Sequence, residues 1–194
     1  RELLTRPGIA LVGSRRCTSR GREWASMLAR AAADAGASVI SGMAWGIDTA
    51  AHLGAPHATV AVLGHGLGAS MSARACRVRD QILDAGGLIL TEHPPYRVAH
   101  RGSFPQRNRI IAGLSRLVIV VEAGARSGAL GTARSAVEYG RDVAAVPHHP
   151  SATAAAGNLI LLREGAQLLC GPEDLTTLAN LPNTPHLPSQ DPII

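Results

Sequence analysis

The sequence contains no lysine, few aromatic residues and few cysteines. All 19 Lys and Arg positions among the 194 residues are arginine, and aromatic residues make up only 3%. A core must therefore be built from Ala, Val, Leu and Ile. Cys17, Cys76 and Cys170 are odd in number and far apart. This spacing indicates neither a disulfide framework nor a zinc site, so we expect a reduced, cytoplasmic protein without a metal.

Long apolar runs are missing as well. No uninterrupted stretch approaches the roughly 18 apolar residues that span a bilayer, and the N-terminus shows no signal-peptide pattern. We therefore expect no membrane partner. Hydrophobic residues at 46% and charged residues at 17% are typical of a soluble α/β domain. The length suits one such domain, over residues 1–179, and a tail over 180–194 with four prolines, predicted to be flexible.

The charge that is present is positive and is carried by guanidinium groups alone. The formal net charge is +5, and a guanidinium offers a planar fork of donors that matches phosphate. A GC-rich genome would produce the same arginine bias without a functional reason. Composition by itself therefore favours a polyanionic partner only weakly.

Short β-type runs alternate with alanine-rich helical patterns along the chain. Strands are predicted near residues 9–12, 38–41, 59–63, 88–91, 117–121, 143–146 and 167–169. Helices are predicted near residues 21–35, 47–53, 72–84, 106–113, 128–139 and 155–163, and a short one after Pro172. Near-continuous apolar strands separated by helices predict an α/β fold with a doubly wound, mostly parallel sheet and helices on both faces. Ligands of such sheets bind at the carboxyl ends of the strands.

The first strand is followed by Gly13, Ser14, Arg15 and Arg16, at the entrance to a long helix. This is not the GxGxxG pattern of a dinucleotide site, so we expect no such cofactor. Small residues, a hydroxyl and two arginines beside a positive helix end suit an anion. The alternative is a plain turn with solvated arginines.

The second strand is followed by Gly42 in a glycine loop, and by Asp48 and His52 at an i, i+4 spacing. These two side chains would share one helix face. A general acid–base pair is one interpretation. The favoured one is a helix cap or a local hydrogen bond that braces the glycine loop.

The segment 104–122, FPQRNRIIAGLSRLVIVVE, places Arg107 and Arg109 directly before an apolar strand. After that strand, Ser127 and Gly128 lead into another helix N-terminus, which predicts a second anion cradle. Phosphate contacts rather than burial are expected to offset the cost of fixing the two arginines. Glu92, at the end of the fourth strand, is either catalytic or, as the commoner outcome, orders a neighbouring arginine or amide.

Taken in order, these blocks resemble the DNA-processing protein A family, also called Smf. The resemblance rests on IALVGSRR, VISGMAWGIDTAAH, TVAVLGHGL, LILTEHPP, FPQRNRIIAGLSRLVIVVEA, RSGALGTARSAVEYGRDVAAVP and GNLILLREGA, over roughly residues 8–171. It implies an extended Rossmann-like domain that binds single-stranded DNA in a basic pocket at the carboxyl edge of the sheet. It also implies strand protection during natural transformation, loading of a RecA-type recombinase, and a homodimer.

The same resemblance carries the role of DNA contact to the GSRR and FPQRNR positions. These are Arg15, Arg16, Phe104, Arg107, Asn108 and Arg109. Phe104 would give a base a stacking or edge contact. With the small residues Gly13, Ser14, Gly42, Ser127 and Gly128, they form the predicted DNA-binding site.

The enzyme alternative is the related LOG-type family of nucleotide phosphoribohydrolases. Residues 127–132 keep only part of that family's phosphate loop, and Glu138 falls where a helix glutamate could act. No catalytic residue is predicted under the DNA-binding interpretation.

Overall fold

Seven parallel strands form one sheet in the computed structural model, which describes residues 2–181. The strands are β1 Gly8–Gly13, β2 Ser38–Ser41, β3 Thr59–Val62, β4 Leu88–Leu90, β5 Leu117–Glu122, β6 Asp142–Ala145 and β7 Gln167–Leu168. The α-helices are α1 Ser19–Asp34, α2 Ile47–Gly54, α3 Ala73–Asp84, α4 Ser103–Leu114, α5 Ala129–Glu138, α6 Ala156–Arg163 and α7 Asp174–Leu178. Short 3-10 helices cover Glu2–Leu4, Pro56–Ala58 and Thr153–Ala155. The predicted α/β fold with a parallel sheet is confirmed.

Both faces of the sheet are covered, which explains the near-continuous apolar strands. Successive residues of β1 alternate between two hydrophobic clusters. Ile9 and Leu11 pack with α1, α2 and α7 on one face. Ala10 and Val12 pack with α4, α5 and α6 on the other. A strand with both faces buried cannot carry charge in its middle, so the polar residues collect at the strand ends.

The strand order β4-β3-β2-β1-β5-β6-β7 places β1 near the centre of the sheet. From β1 the chain continues through β2, β3 and β4 toward one edge of the sheet. From β5 it continues through β6 and β7 toward the other edge. Ligands of open α/β sheets bind where the order reverses in this way, outside the carboxyl ends of the strands. At that point Gly13 of β1 is paired with Glu122 of β5. The loops that follow β1 and β5 therefore meet at one rim.

The start of α4 and the packing near residue 180 both bear on the predicted boundaries. Helix α4 begins at Ser103 instead of residue 106, since proline is tolerated in a first helical turn and Pro105 lies there. The packed chain also continues past residue 179, because Leu181 is 7% exposed and Arg116 Nη1 donates to the Asn180 carbonyl at 3.1 Å. Residues 182–194 of the predicted tail lie outside the described residues. No helix within 2–181 has the length and apolar character to cross a membrane.

Candidate functional site

The loop after β1 presents two arginine side chains to solvent from a fixed backbone. The Ser14 amide donates to the Glu122 carbonyl at 2.7 Å. The Ser14 hydroxyl accepts from the Arg16 amide at 3.1 Å. Arg15 and Arg16 are both exposed. The turn is therefore held by one bond to the last residue of β5 and one bond within the loop, while both arginines are exposed after the carboxyl end of β1.

The N-cap residue of α1, Thr18, is held by a buried carboxylate beside the predicted anion cradle. Glu122, 1% exposed, accepts from the Thr18 amide at 2.8 Å and from the Thr18 hydroxyl at 2.5 Å. The Thr18 hydroxyl in turn accepts from the Gly21 amide at 3.0 Å. Because a carboxylate already lies at this helix end, an anion bound here would depend on the arginine side chains instead of the helix dipole.

A histidine holds the loop after β2 in a left-handed conformation. Met43 has a φ of 58°, which is uncommon for a residue with a side chain. Its amide donates to Nε2 of His52 at 3.2 Å. Nδ1 of His52 lies 2.7 Å from the Thr59 hydroxyl, which donates to the Val39 carbonyl. Nδ1 therefore carries the proton. Burial, with a smaller contribution from the positive charge of Arg107, lowers the pKa of His52 to about 3.

Asp48 braces the same loop. Its Oδ2 accepts from the Ala44 amide at 3.3 Å, and the side chain is buried. Burial raises the pKa of Asp48, and the charge of Arg107 and the amide bonds oppose that rise. His52 and Asp48 are both buried, and both accept hydrogen bonds from backbone amides of this loop. They form the brace that the sequence favoured. They do not form an acid–base pair open to a substrate.

Arg107 is buried, which corrects the expectation that phosphate contacts and not burial account for it. The side chain is 4% exposed, and Nη1 donates to the Val62 carbonyl at the end of β3 at 2.6 Å. Its guanidinium fills the space that a side chain on Gly42 would need. Nε is buried and has no hydrogen-bond partner within the described chain. Position 42 therefore requires a glycine, because the Arg107 guanidinium occupies the space of a side chain there. That guanidinium has only part of its hydrogen-bonding capacity filled within the described chain.

Arg15 and Phe104 converge on this buried guanidinium. The guanidinium carbon of Arg15 lies 5.1 Å from the centroid of the Phe104 ring. A Cβ placed on Gly64, after β3, would lie 3.3 Å from Phe104 Cδ1, so the ring rests on that glycine. Burial lowers the pKa of Arg107, Asp48 opposes this, and the positive charge of Arg15 lowers it further. The structure thus brings together Arg15 and Gly42 from two loops and Phe104 and Arg107 from α4.

The other predicted residues lie along the same rim with different partners. Arg109 is exposed and forms an ion pair with Glu92, so Glu92 orders an arginine as the sequence favoured. Asn108 Nδ2 donates to the Gly128 carbonyl at 3.4 Å. The Ser127 hydroxyl accepts from the Ala129 amide at 3.3 Å. Helix α4 is thereby tied to the N-terminus of α5, the second predicted cradle.

The residue on which the hydrolase alternative depends lies at the wrong end of its helix. Glu138 is the last residue of α5, whereas the Ser127–Gly128 cradle precedes the first. A helix of this length separates its ends by roughly 15 Å. Glu138 lines a groove with Arg134 and Arg141 at the opposite edge of the sheet. It therefore cannot act on a ligand bound at the carboxyl rim.

Two groups that contribute to the site were not predicted from the sequence. They are Glu122, which anchors the arginine loop, and the Val62 carbonyl, which anchors Arg107. A glutamate that ends an otherwise apolar strand beside the arginine loop is a usable signal for the first. A backbone carbonyl leaves no signal in a sequence.

Three comparisons with known proteins show which family the chain is similar to. The family model of DNA recombination-mediator protein A matches residues 1–180. The protein Smf of Synechocystis sp. is 42% identical over 184 residues, which is 93% of this chain and 46% of that protein. The X-ray structure of DNA processing protein A from Streptococcus pneumoniae has a TM-score of 0.83 and 38% identity, over 94% of this chain and 64% of that one.

A second similar structure concerns a single-stranded DNA binding mode. This is DNA processing protein A of Helicobacter pylori, with a TM-score of 0.84 and 30% identity, over 92% of this chain and 84% of that one. The chain spans about half the length of the curated relatives it matches. The ordered motifs, the parallel sheet and the family model agree: the chain belongs to the DNA recombination-mediator protein A family.

Proposed function

We propose that this chain binds single-stranded DNA at the carboxyl rim of its sheet. The observation that carries the proposal is the state of Arg107. Its guanidinium is buried, bonded to one carbonyl, and outside the ion pairs that residues 2–181 form. The buried carboxylate of Asp48 acts on it through space, but the two form no ion pair within residues 2–181. A buried cation that is compensated only indirectly is costly, and a phosphate beside Arg107 and Arg15 would lower that cost.

The arrangement suits a strand better than a small anion. Arg15 and Arg16 are exposed on the loop after β1, and Arg126 is exposed on the loop after β5. Cations from separate loops follow the spaced phosphates of a polymer, and the Phe104 ring offers a surface for a base. Binding of this kind reads the backbone and the stacked bases, so it is tolerant of sequence.

A titration with a fluorescent oligothymidylate over a range of salt concentrations tests the proposal. We expect affinity to fall steeply with salt, with a slope of roughly 0.7 in log–log terms for each phosphate contact. Arg15→Ala should reduce both affinity and slope, and should weaken different base sequences alike. Arg163→Ala is the matched control, because Arg163 is exposed in the last turn of α6 at the other edge. Affinity that is independent of salt, or equal losses for both variants, would contradict a site at this rim.

The finer roles rest on family membership. We extend the proposal to protection of single strands, loading of a RecA-type recombinase, a homodimer and a cytoplasmic location. Nuclease digestion of a bound strand tests protection, which should require Arg15. Sedimentation tests the homodimer, and co-precipitation with a purified RecA-type recombinase tests the partner. A monomer at the concentrations that protect DNA would remove the dimer from the proposal.

The proposed function includes no chemical step. Incubation with nucleoside monophosphates should release no free base. Release of base by the wild-type chain, lost in Glu138→Gln, would favour the hydrolase instead.

A further inference from the structure

A groove between α1 and α2 opens directly beside the arginine loop and has no role in the site described above. It has a volume of about 400 Å³. Its walls include Arg22, Arg30, Trp45 and Leu53, and one acidic residue, Glu23. The mixture of arginine, an aromatic ring and aliphatic surface is typical of grooves that hold single strands.

Trp45 is an exposed aromatic residue in a chain that has few of them. The side chain is 42% exposed. The guanidinium carbon of Arg74, from α3, lies 3.0 Å from the centroid of its ring. Arg74 lies outside the lining of the groove, whereas Trp45 lies within it. The indole is thus fixed by a cation–π contact from outside the groove, which lowers the entropy lost when a base stacks on it.

The cations of the groove are not neutralised by carboxylates. Arg22 donates to the Cys17 carbonyl at 3.0 Å and to the Ser19 hydroxyl at 3.1 Å. Arg30 donates to the Ser26 hydroxyl at 2.9 Å. These acceptors are neutral, and the ion pairs formed within residues 2–181 include neither arginine. Both positive charges therefore remain available to phosphates.

The groove is continuous with the proposed DNA site. Gly46, next to Trp45, has a φ of 94° and packs so closely that an added Cβ would lie 2.8 Å from the Arg15 carbonyl oxygen. The Ile47 amide donates to the Ser14 carbonyl at 3.3 Å. A strand that passes Arg15 therefore reaches Trp45 by crossing one loop.

We propose that Trp45 and the groove between α1 and α2 form a second subsite for the same DNA strand, with a base stacked on the indole and phosphates near Arg22 and Arg30. This inference rests on the proposed function. It specifies the path of the bound strand, which leaves the Arg15–Phe104 region toward α2. It also implies that a longer strand gains contacts that a short one lacks.

Intrinsic fluorescence gives a direct test. The chain has two tryptophans, and Trp24 is partly buried against the core. In Trp24→Phe, emission comes from Trp45 alone and should be quenched by oligothymidylate of about 20 nucleotides, a length beyond the roughly 4–16 that comparable grooves occupy. An oligomer of about 4 nucleotides, at the lower end of that range, should quench it less at equal occupancy. Unchanged emission at saturation with the long strand would overturn the subsite.

Affinity measurements provide the second readout. Trp45→Ala should weaken binding of the long strand about tenfold, within the range for loss of one stacking contact, and should leave the short strand nearly unchanged. Trp45→Phe should keep most of the long-strand affinity. Equal losses for both lengths would contradict the inference. Long-strand binding that is lost in Arg15→Ala but retained in Trp45→Ala would refute the subsite alone, whereas no binding by the wild-type chain would refute the proposed function itself.

Discussion

Nη1 of Arg107 donates a 2.6 Å hydrogen bond to the carbonyl oxygen of Val62, the last residue of β3. The bond joins α4 to the sheet at the rim where the arginine loop lies. It also places the guanidinium against the backbone of Gly42, after β2. One side chain thereby connects two loops and a helix, and its positive charge is held next to Arg15 and Phe104. We therefore expect Arg107 to contribute to stability and to the proposed binding, and Arg15 to the proposed binding alone.

Arg107→Ala should lower the free energy of unfolding by about 2–4 kcal/mol, because it leaves a cavity, an unsatisfied carbonyl and the buried Asp48 without a nearby cation. It should also weaken DNA binding. Arg15→Ala should weaken DNA binding and change stability by less than about 0.5 kcal/mol, because the side chain is exposed. Urea unfolding and the oligonucleotide titration, run on both variants, check this. Wild-type stability in Arg107→Ala would show that burial of this arginine contributes nothing.

Gly42→Ala should destabilise the fold by about 1–3 kcal/mol, since the added methyl group displaces a buried guanidinium. The loss should not add to that of Arg107→Ala in a double-mutant cycle, because both changes break the same contact. Gly131→Ala is the control. Gly131 lies within α5 with open space around it, so alanine should stabilise by up to about 1 kcal/mol. Additive losses for Gly42 and Arg107 would mean that the two residues act separately.

The sequence predicted the sheet well for a physical reason. Strands buried on both faces are continuous apolar runs, so their limits are visible: β2 matches residues 38–41 and the other strands match to within one residue at either end. Helix periodicity located the helices in the same way. The start of α4 was missed because the His100 amide bonds the Ser103 hydroxyl, a local contact that begins the helix before Pro105.

The site was predictable only as far as topology decides it. The loops after β1 and β2 and the start of α4, which follows β4, all lie at the carboxyl ends of parallel strands. The placement of Arg15 and the FPQRNR segment at one rim was therefore predictable. The partners of individual side chains did not follow. The Thr18–Glu122 bonds join residues 104 positions apart and the Arg107–Val62 bond joins residues 45 positions apart. Such contacts depend on side-chain packing that strand patterns do not encode.

Glu92→Gln should strengthen DNA binding. The substitution removes a negative charge from the rim and releases Arg109 from its ion pair. If Arg109 then contacts a phosphate, the salt slope should steepen by roughly 0.7. Stability should change by less than about 1 kcal/mol, because both side chains are partly exposed.

Glu138→Gln is the matched control for that charge change. Glu138 is exposed at the end of α5 on the opposite edge of the sheet. The substitution Glu138→Gln removes the same charge from the whole molecule but should leave the salt slope of DNA binding unchanged. Equal gains in affinity from both variants would show a general effect of net charge, with no specific release of Arg109.

His52→Asn should flatten the loss of stability at acid pH. The pKa of His52 is about 3 in the folded protein against a usual 6.5. Below pH 6.5 the unfolded chain therefore takes up a proton that the folded protein refuses. The unfolding free energy falls as pH decreases from 6.5 to about 3, by at most about 1.4 kcal/mol per pH unit. Asparagine does not titrate, so His52→Asn removes this dependence of the unfolding free energy on pH.

Asp48 changes stability with pH in the opposite direction to His52, over an overlapping pH range. Its pKa is raised above the usual 3.8 by burial, so the folded protein takes up a proton at a higher pH than the unfolded chain does. Stability from this group increases as pH falls toward 3.8. Asp48→Asn should consequently steepen the acid loss that His52→Asn flattens. Urea unfolding of both variants and the wild type at a series of pH values measures the two slopes. Parallel pH profiles for all three proteins would show that the brace beneath the Met43 loop does not titrate differently in the folded and unfolded states.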